Sequence, residues 1–338
     1  MPNSEAGLTV AVTGPTGTFG FALVPHLVAD PRIGDLVGIA RRPFDPAAHG
    51  WTTMSYRQGD VRDPDALAAA FAGADVVVHL AFLITGGASS ATARAVNVDG
   101  TLHAFRAAAA AGARRFVYAS SVAAYGFHPD NPVGLVEDWP TRPAERLFYA
   151  QEKAELEVLL ATEAATTDMD LYVLRPPVVV GPHGLGAKDL IPPALLPAVR
   201  LATQALGRSP VPVPVMLPAL PLQLVHEDDV ADAFVRCITG AGPPGAYNIA
   251  GDGIVTTHDV ARALGLLPLP LPVGLTQRGA RALAAVPLPR AVPPVTGWVE
   301  ALSHPVIVDT TRATDELGWR PAYSAAEALR AVAPTARG

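Results

Sequence analysis

Hydrophobic residues in the first half of the chain come in short unbroken runs, without the polar alternation of a sheet that faces water. Such runs, rich in Val, Ile and Leu, are typical of parallel strands that are buried on both faces. Alanine-rich stretches that favour helices lie between them. We therefore predict an α/β fold built around a doubly wound parallel sheet. The predicted strands are 8–14, 35–40, 54–60, 74–81, 114–120 and 171–176, and the predicted helices include 19–30, 64–73 and 89–112.

The pattern changes after residue 182, where prolines interrupt the apolar stretches and the alternation returns only at 223–238 and 246–251. Prolines at this density favour loops, short helices and edge segments over a second regular sheet. We therefore expect a main α/β domain and a smaller, irregular C-terminal lobe. The main domain is predicted to comprise residues 1–182 and about 223–251, and the lobe residues 183–222 and 252–338.

Composition excludes several classes of protein. Charged residues make up 17% of the 338 residues and the formal net charge is −6, so no nucleic-acid partner is expected. Cys237 is the single cysteine, which excludes an internal disulfide, and the histidines show no metal-ligand spacing, so no metal site is predicted. Prolines break the most apolar stretches, 211–225 and 264–275, before they reach the roughly 20 residues of a membrane helix. We expect a soluble cytoplasmic protein without a signal peptide.

A glycine-rich turn follows the first predicted strand, with Gly14, Gly17 and Gly20 at GxxGxxG spacing. Small residues allow the backbone to turn tightly and to approach a pyrophosphate, which rests on the unpaired N–H groups of the next helix. The spacing differs from the GxGxxG form, and an ordinary strand-to-helix turn is the alternative interpretation. The candidate dinucleotide-binding residues of this turn are Gly14, Thr16, Gly17, Thr18, Phe19 and Gly20.

The end of the second strand indicates which dinucleotide the turn would serve. An acidic residue at this place bonds the ribose hydroxyls of NAD, whereas an arginine receives the 2′-phosphate of NADP. The chain has Ala40, Arg41 and Arg42 there and no carboxylate. This sequence favours NADP(H) over NAD(H), although two loop arginines can also be simply solvated.

Tyr149 and Lys153 are four residues apart on a predicted helix and therefore share one of its faces. A neighbouring ammonium favours the phenolate, so we expect a lowered pKa for Tyr149 and a hydroxyl that exchanges protons near neutral pH. A chance pairing is the alternative, but the pair follows the fifth strand, at the sheet edge where doubly wound folds bind ligands. The only other lysine is Lys188. A compact amine can bond ribose hydroxyls and tune a phenol, which a planar guanidinium cannot readily do.

Ser121 lies at the carboxyl end of the fifth predicted strand, with Ser120 as the neighbouring candidate. A hydroxyl at this place can donate a hydrogen bond to a substrate oxygen. A single serine after a strand is by itself weak evidence for a catalytic role. Together with Tyr149 and Lys153, Ser121 completes a candidate catalytic set.

These features together resemble the extended short-chain dehydrogenase/reductase family, the NAD-dependent epimerase/dehydratase group. The resemblance covers nearly the whole chain, in order. Besides the three glycines, the matching segments are GDV (59–61), VVHLA (77–81), AVNVDGT (95–101), SSVAAYG (120–126), YAQEK (149–153), LRPPVVVGP (174–182), HEDDVADA (226–233), YNIAG (247–251) and TDELGWRP (314–321).

The resemblance implies a Rossmann dinucleotide-binding domain, a C-terminal substrate-binding lobe, and roles for individual residues. It assigns Tyr149 as proton donor or acceptor, Lys153 as partner of Tyr149 and of the nicotinamide ribose, and Ser121 as the substrate-orienting hydroxyl. Asn97 matches a helix asparagine that either bonds backbone or takes part in catalysis. A homodimer built from the helices that contain Asn97 and Tyr149 is also implied. Asp60 and Val61 would flank the adenine, Leu80 and Ala81 the ribose side of the cofactor, and Pro176 the nicotinamide pocket.

Two departures from the family pattern bear on the substrate. Dehydratases of this group carry an acidic pair after the catalytic hydroxyl, where this chain has Val122 and Ala123. Nucleotide-sugar epimerases usually have a diphosphate-binding arginine four residues before the histidine of HEDDVADA, where this chain has Leu222. The apolar lobe sequence agrees with an apolar pocket, although such residues can equally pack the lobe or an interface.

These observations lead to three hypotheses for function. The first is an NADP(H)-dependent carbonyl reductase or alcohol dehydrogenase, a ketoreductase acting on a mainly apolar small molecule through Ser121, Tyr149 and Lys153. The second is an epimerase, with a sugar-type substrate as one option, that oxidises and re-reduces one carbinol with tightly held NAD(P). The third is a non-catalytic dinucleotide sensor, which the intact Tyr–Lys pair disfavours.

Overall fold

The computed structural model describes residues 7–84, 90–144, 147–183, 213–263, 265–272 and 304–332. The strands in this part of the chain are β1 (Leu8–Thr13), β2 (Ile33–Ala40), β3 (Met54–Gln58), β4 (Val76–His79), β5 (Arg115–Ala119), β6 (Asp170–Arg175), β7 (Val178–Val180), β8 (Val213–Leu217), β9 (Pro221–Leu222), β10 (Leu224–His226), β11 (Gly245–Asn248), β12 (Val255–Thr256) and β13 (Leu266–Pro270). The helices are α1 (Thr18–Ala29), α2 (Pro64–Phe71), α3 (Ser90–Arg94), α4 (Gly100–Ala110), α5 (Phe148–Ala164), α6 (Glu227–Thr239), α7 (Thr257–Ala263), α8 (Thr311–Leu317) and α9 (Ala325–Val332).

A seven-stranded parallel sheet forms the centre of the molecule, in the order β3-β2-β1-β4-β5-β6-β11. Chain order reverses between β1 and β4, which is the switch point where doubly wound sheets bind ligands. The six predicted strands are all present, and β11 adds a seventh by pairing with β6. The predicted doubly wound α/β fold is therefore confirmed.

The unbroken apolar runs are buried on both faces of the sheet, as predicted. Val76, Val77 and Val78 in β4 have no exposed surface, and Val10 and Val12 in β1 pack beside them. Helices α1 and α6 cover one face, and α2, α4 and α5 cover the other. Burial of both faces leaves the carboxyl edge of the strands as the place where polar side chains collect.

The helix predicted over 89–112 is interrupted. Residues Ala95–Asp99 form a π-helical segment between α3 and α4. The Thr101 hydroxyl donates to the carbonyl of Asn97, four residues earlier, a side-chain bond that competes with the helix ladder. A Cβ on Gly100 would lie 2.6 Å from a Val61 methyl, so the start of α4 packs closely on the loop after β3.

The described part of the C-terminal region contains small ladders and no second large sheet. β7 pairs with β10, β9 with β12, and β8 with β13. Leu224 of β10 and Val255 of β12 form an apolar cluster with Ala325 and Leu329 of α9. Within the predicted main domain, β11 joins the large sheet and α6 packs on α1. Much of the predicted lobe, including Lys188, lies outside the described residues, so the division into two domains stays a prediction.

Candidate active site

The glycine-rich turn after β1 depends on the absence of side chains at two positions. Gly14 has a φ of 68°, and a Cβ there would lie 3.0 Å from the backbone of Ala81. A Cβ on Gly20 would lie 2.1 Å from the carbonyl oxygen of Pro15. The turn therefore fits tightly between α1 and the loop after β4, as the glycine spacing predicts.

Helix α1 begins at Thr18, one residue earlier than predicted, with Gly17 as its N-cap. Gly17 makes no side-chain cap bond, so the first-turn N–H groups of α1 are available to an anion. Thr16 and Thr18 flank this turn and are partly buried. The Phe19 ring packs towards Phe234 in the core, with 6.3 Å between ring centroids, so only its backbone could serve a phosphate.

Arg41 and Arg42 follow β2 as predicted, with exposed side chains on a backbone that is held in place. The Tyr56 hydroxyl donates to the carbonyls of Ala40 and Arg42, and the Gln58 amide donates to the carbonyl of Arg41 at 3.0 Å. This anchored loop presents two guanidinium groups at the end of β2.

Asp60 and Val61 lie beside this loop. Asp60 accepts two hydrogen bonds from the guanidinium of Arg62, which hold the pKa of its carboxyl below the usual value; the charge of Arg41 adds to this effect. Val61 is buried against Gly100. The structure therefore places Asp60 near Arg41 but already engaged with Arg62.

A buried histidine fixes the loop that carries Leu80 and Ala81. His79 bonds the Thr13 hydroxyl through Nδ1 at 2.9 Å and the Thr101 hydroxyl through Nε2 at 3.0 Å. Burial lowers the pKa of His79 to about 3, so the ring is neutral. The backbone N–H groups of Leu80 and Ala81 donate to the same Thr13 hydroxyl, at 3.2 and 3.3 Å. Sequence reasoning missed this role, which the unbroken apolar setting of His79 in β4 could have suggested.

Lys153 lies on α5 one turn after Tyr149 and is buried, with 3% of its surface exposed. Its ammonium donates to the carbonyl of Ala119 at 2.6 Å and to the hydroxyl of Tyr118 at 3.3 Å. The ammonium also lies 5.8 Å from the ring centroid of Tyr149. Burial lowers the pKa of Lys153 to about 7. The lysine can thus change protonation state near neutral pH.

The hydroxyls of Tyr149 and Ser121 are hydrogen-bonded to each other. Burial raises the pKa of Tyr149, and the bond with Ser121 opposes this only in part. The expected lowering of the tyrosine pKa is therefore wrong for this structure: desolvation outweighs the hydrogen bond with Ser121, although part of the residue's surface stays exposed. Ser121 also accepts from the N–H of Ala123 at 3.2 Å and lies 3.4 Å from the carbonyl of Pro176. The structure thus brings Ser121, Tyr149 and Pro176 together.

Ser120 points away from this set, into a buried network that sequence reasoning missed. Its hydroxyl donates to Glu157, and Glu157 accepts from the guanidinium of Arg175. Arg175 also donates to the Tyr125 hydroxyl at 2.7 Å. The network ties β5, β6 and α5 together behind Ser121, so Ser120 is structural.

The side chain of Asn97, in the π-helical segment, forms hydrogen bonds with the backbone of Leu83. Its amide oxygen accepts from the N–H of Leu83 at 2.7 Å, and its amide nitrogen donates to the carbonyl of Leu83 at 3.0 Å and to Glu152 at 2.7 Å. Of the two roles considered from sequence, this geometry corresponds to the structural one. Asn97 therefore links α5 to the loop after β4.

Metal-binding clusters and membrane-spanning helices are both absent from the described residues. No three His, Cys, Asp or Glu side chains among them come together in a way that could hold a metal ion. None of the helices in this part of the chain has the length and apolar character needed to cross a membrane.

Comparison with known proteins identifies the family. The profile of the NAD dependent epimerase/dehydratase family matches residues 10–250. The UDP-glucose 4-epimerase of Mycolicibacterium smegmatis is 31% identical over 336 residues, covering 94% of this chain and 95% of that protein. In fold, the chain is similar to the UDP-glucose 4-epimerase of Thermotoga maritima solved with UDP-glucose, with a TM-score of 0.70, 19% identity and coverage of 96% and 97% of the two chains. It is also similar to the Thermus thermophilus UDP-glucose 4-epimerase in complex with NAD, with a TM-score of 0.69, 22% identity and coverage of 96% and 98%. The chain belongs to the NAD dependent epimerase/dehydratase family.

Proposed function

We propose that the protein is an NAD(P)-dependent epimerase that oxidises one carbinol of its substrate and reduces it again from the opposite face. The observation that carries the proposal is the hydrogen-bonded pair of Ser121 and Tyr149 beside the buried ammonium of Lys153, at the carboxyl end of β5. The likeness to an epimerase over nearly its whole length supports this choice over the reductase hypothesis.

The three side chains have complementary roles in this proposal. As the phenolate, Tyr149 takes the proton of the carbinol hydroxyl during oxidation, and as the phenol it gives that proton back during reduction. Ser121 holds the same oxygen through a hydrogen bond, which fixes the reacting carbon in place. The ammonium of Lys153 and the hydrogen bond with Ser121 favour the phenolate against the burial that raises the pKa of Tyr149. A bound nicotinamide would accept the hydride and return it, so no net oxidation occurs.

The residues of the cleft fit such a dinucleotide. The close approach of Gly14 to Ala81, and the uncapped first turn of α1, suit a pyrophosphate. Arg41 and Arg42 suit the 2′-phosphate of NADP(H), which we keep as the preferred cofactor. NAD is the dinucleotide bound in the Thermus thermophilus relative. Lys153 would bond the nicotinamide ribose, and Pro176 would border its ring.

Leu222 favours a second candidate function, the reduction of an apolar ketone. At the position where the family resemblance expects a diphosphate-binding arginine, Leu222 packs against the apolar cluster of Leu224 and Val255. An aliphatic side chain there cannot pair with a diphosphate, and it adds apolar surface to the lobe. A carbonyl reductase would use the same proton donor, Tyr149, with net consumption of cofactor.

One experiment separates the two candidates. Purified protein with a catalytic amount of NAD(P)⁺ is given UDP-glucose, and formation of the 4-epimer is followed by NMR. In parallel, NADPH absorbance is followed with a panel of apolar ketones. An epimerase interconverts its substrate without net cofactor change, whereas a reductase consumes one NADPH per product. Stoichiometric NADPH loss with a ketone, and no epimer, would replace the first proposal by the second; inactivity in both assays would contradict both for these substrates.

A further inference from the structure

The ammonium of Lys153 lies among two oxygen atoms and several aromatic rings. The oxygen atoms are the carbonyl of Ala119 and the hydroxyl of Tyr118. Of the described rings, that of Phe82 is nearest, with its centroid 3.7 Å from Nζ. An ammonium over the face of an aromatic ring is attracted by the ring quadrupole, and more strongly where water is excluded.

The same ring also contacts the candidate catalytic phenol. The rings of Phe82 and Tyr149 meet edge to face, with 5.6 Å between centroids and 87° between planes. This is a favourable aromatic geometry. One side chain outside α5 therefore touches both members of the Tyr149–Lys153 pair.

The backbone beside Phe82 is held from two sides. Asn97 bonds both the N–H and the carbonyl of the next residue, Leu83, and its amide also donates to Glu152 on α5. Thr13 accepts from the N–H of Ala81, the residue before Phe82. A ring on an anchored backbone can define a position for the groups that it touches.

The charged and titratable groups that face Lys153 come from three elements. Tyr149, Glu152 and Glu157 lie on α5, Tyr118 on β5 and His79 on β4. The charges of Glu157 and Glu152 favour the ammonium, but Glu157 is paired with Arg175 and Glu152 is bound by Asn97. Burial outweighs them and lowers the pKa of Lys153. Desolvation by burial is therefore the main influence on the pKa of Lys153, and the ring of Phe82 contributes to that burial.

We propose that Phe82 is a positioning residue for the Tyr149–Lys153 pair: its ring holds the ammonium against the Ala119 carbonyl and excludes water from it. In doing so it sets the pH range over which the lysine is charged. The catalytic consequence rests on the proposed function, but the effect on Lys153 does not.

The lysine content of the chain makes a direct test practical. The protein is labelled with ¹³C-lysine, and Lys188→Arg leaves Lys153 as the only lysine, so one Cε resonance reports its titration. In this background we compare the titration of Lys153 in the protein that retains Phe82 with its titration in Phe82→Ala, Phe82→Leu and Phe127→Ala. Phe127 packs in the same small cluster as Tyr149, while the rings described around the ammonium are Phe82, Tyr118 and Tyr149. It is therefore the matched control.

The two substitutions of Phe82 are expected to affect the pKa of Lys153 differently. Phe82→Ala admits water, so the pKa of Lys153 rises by about one unit towards its usual value. Phe82→Leu keeps much of the apolar cover but lacks the ring face, so the pKa stays or falls slightly. Phe127→Ala leaves the titration of Lys153 unchanged. If the enzyme is active, the midpoint of the pH–rate profile that reports Lys153 moves to higher pH in Phe82→Ala. In Phe82→Tyr, which keeps an aromatic ring, the midpoint stays at its wild-type value.

An unchanged or lowered Lys153 pKa in folded Phe82→Ala would overturn the proposal, as would an equal rise in Phe127→Ala. Should Phe82→Ala fail to fold, a pKa raised by about one unit in Phe82→Leu would also overturn it, because the ring face would then have no holding effect. A protein in which Lys153 titrates as expected but no substrate turns over would contradict the proposed function alone. The two failures are thus distinguishable.

Discussion

The carboxylate of Glu157 lies 2.5 Å from the guanidinium of Arg175, and both side chains are less than a tenth exposed. Arg175 ends β6 and Glu157 lies on α5, so the pair connects the sheet to the helix that carries Tyr149 and Lys153. The hydroxyls of Ser120 and Tyr125 complete its hydrogen bonding. A buried ion pair therefore attaches the helix of the candidate active site to the sheet.

Removing one partner of this pair should strongly destabilise the protein. Glu157→Ala leaves the Arg175 guanidinium buried without its counter-charge, and we expect a loss of about 3–5 kcal/mol in the free energy of unfolding. Urea denaturation followed by circular dichroism measures it. The matched control is Glu163→Ala on the same helix, whose partner Arg106 is largely exposed and whose loss should cost less than about 1 kcal/mol. Equal losses in the two variants would contradict a special role for the buried pair.

Tyr149→Phe should remove proton transfer and leave the fold intact. The ring contact with Phe82 is retained, while the hydroxyl bonded to Ser121 is lost. We expect turnover to fall by about 10²–10⁴-fold, with dinucleotide affinity changed little. Turnover is measured with whichever substrate the epimerase and reductase assays identify, and affinity by isothermal calorimetry. Undiminished turnover in this variant would reject Tyr149 as the proton donor.

Lys153 should make stability depend on pH. Its pKa is about 7 in the folded protein and near its ordinary value of about 10.4 when unfolded. Between these values the unfolded chain binds more protons, so this residue makes the protein more stable as pH rises, by up to about 1.4 kcal/mol per pH unit. Burial raises the pKa of the Cys237 thiol, which acts in the opposite direction.

The contribution of Lys153 is isolated by comparison with Lys153→Met. The free energy of unfolding of the wild type relative to this variant should increase from pH 7 to pH 10, in urea titrations at several pH values. Parallel pH curves for the two proteins would show that Lys153 keeps its ordinary pKa when folded.

Arg41 and Arg42 should discriminate between the two dinucleotides. Their exposed guanidinium groups can pair with a 2′-phosphate, which NAD lacks. We expect the double variant Arg41→Ala, Arg42→Ala to bind NADP⁺ about tenfold or more weakly, with NAD⁺ affinity changed little. Calorimetric titration with each dinucleotide tests this. Equal weakening for both, or a wild type that binds NAD⁺ as tightly as NADP⁺, would refute the assignment.

The fold could be predicted well because its signals are local. Unbroken apolar runs such as 74–81 mark strands buried on both faces, and glycines at 14 and 20 mark places where a Cβ would collide with neighbouring backbone. The i, i+4 spacing of Tyr149 and Lys153 places both on one helix face whatever surrounds them. The π-helical segment at Ala95–Asp99 was not predicted, because the apolar pattern does not register side-chain bonds to the backbone such as that of Thr101 to Asn97.

The electrostatic state of the site required the tertiary structure. A nearby ammonium predicts a lowered pKa for Tyr149, yet the pKa is raised, because packing against residues distant in the chain, such as Phe82, desolvates the phenol. The contact of Phe82 with Lys153 joins residues that are 71 positions apart, and no sequence period encodes it. Local patterns specify which elements form and which side chains share a face. Burial, and the pKa values that follow from it, depend on how those elements pack together.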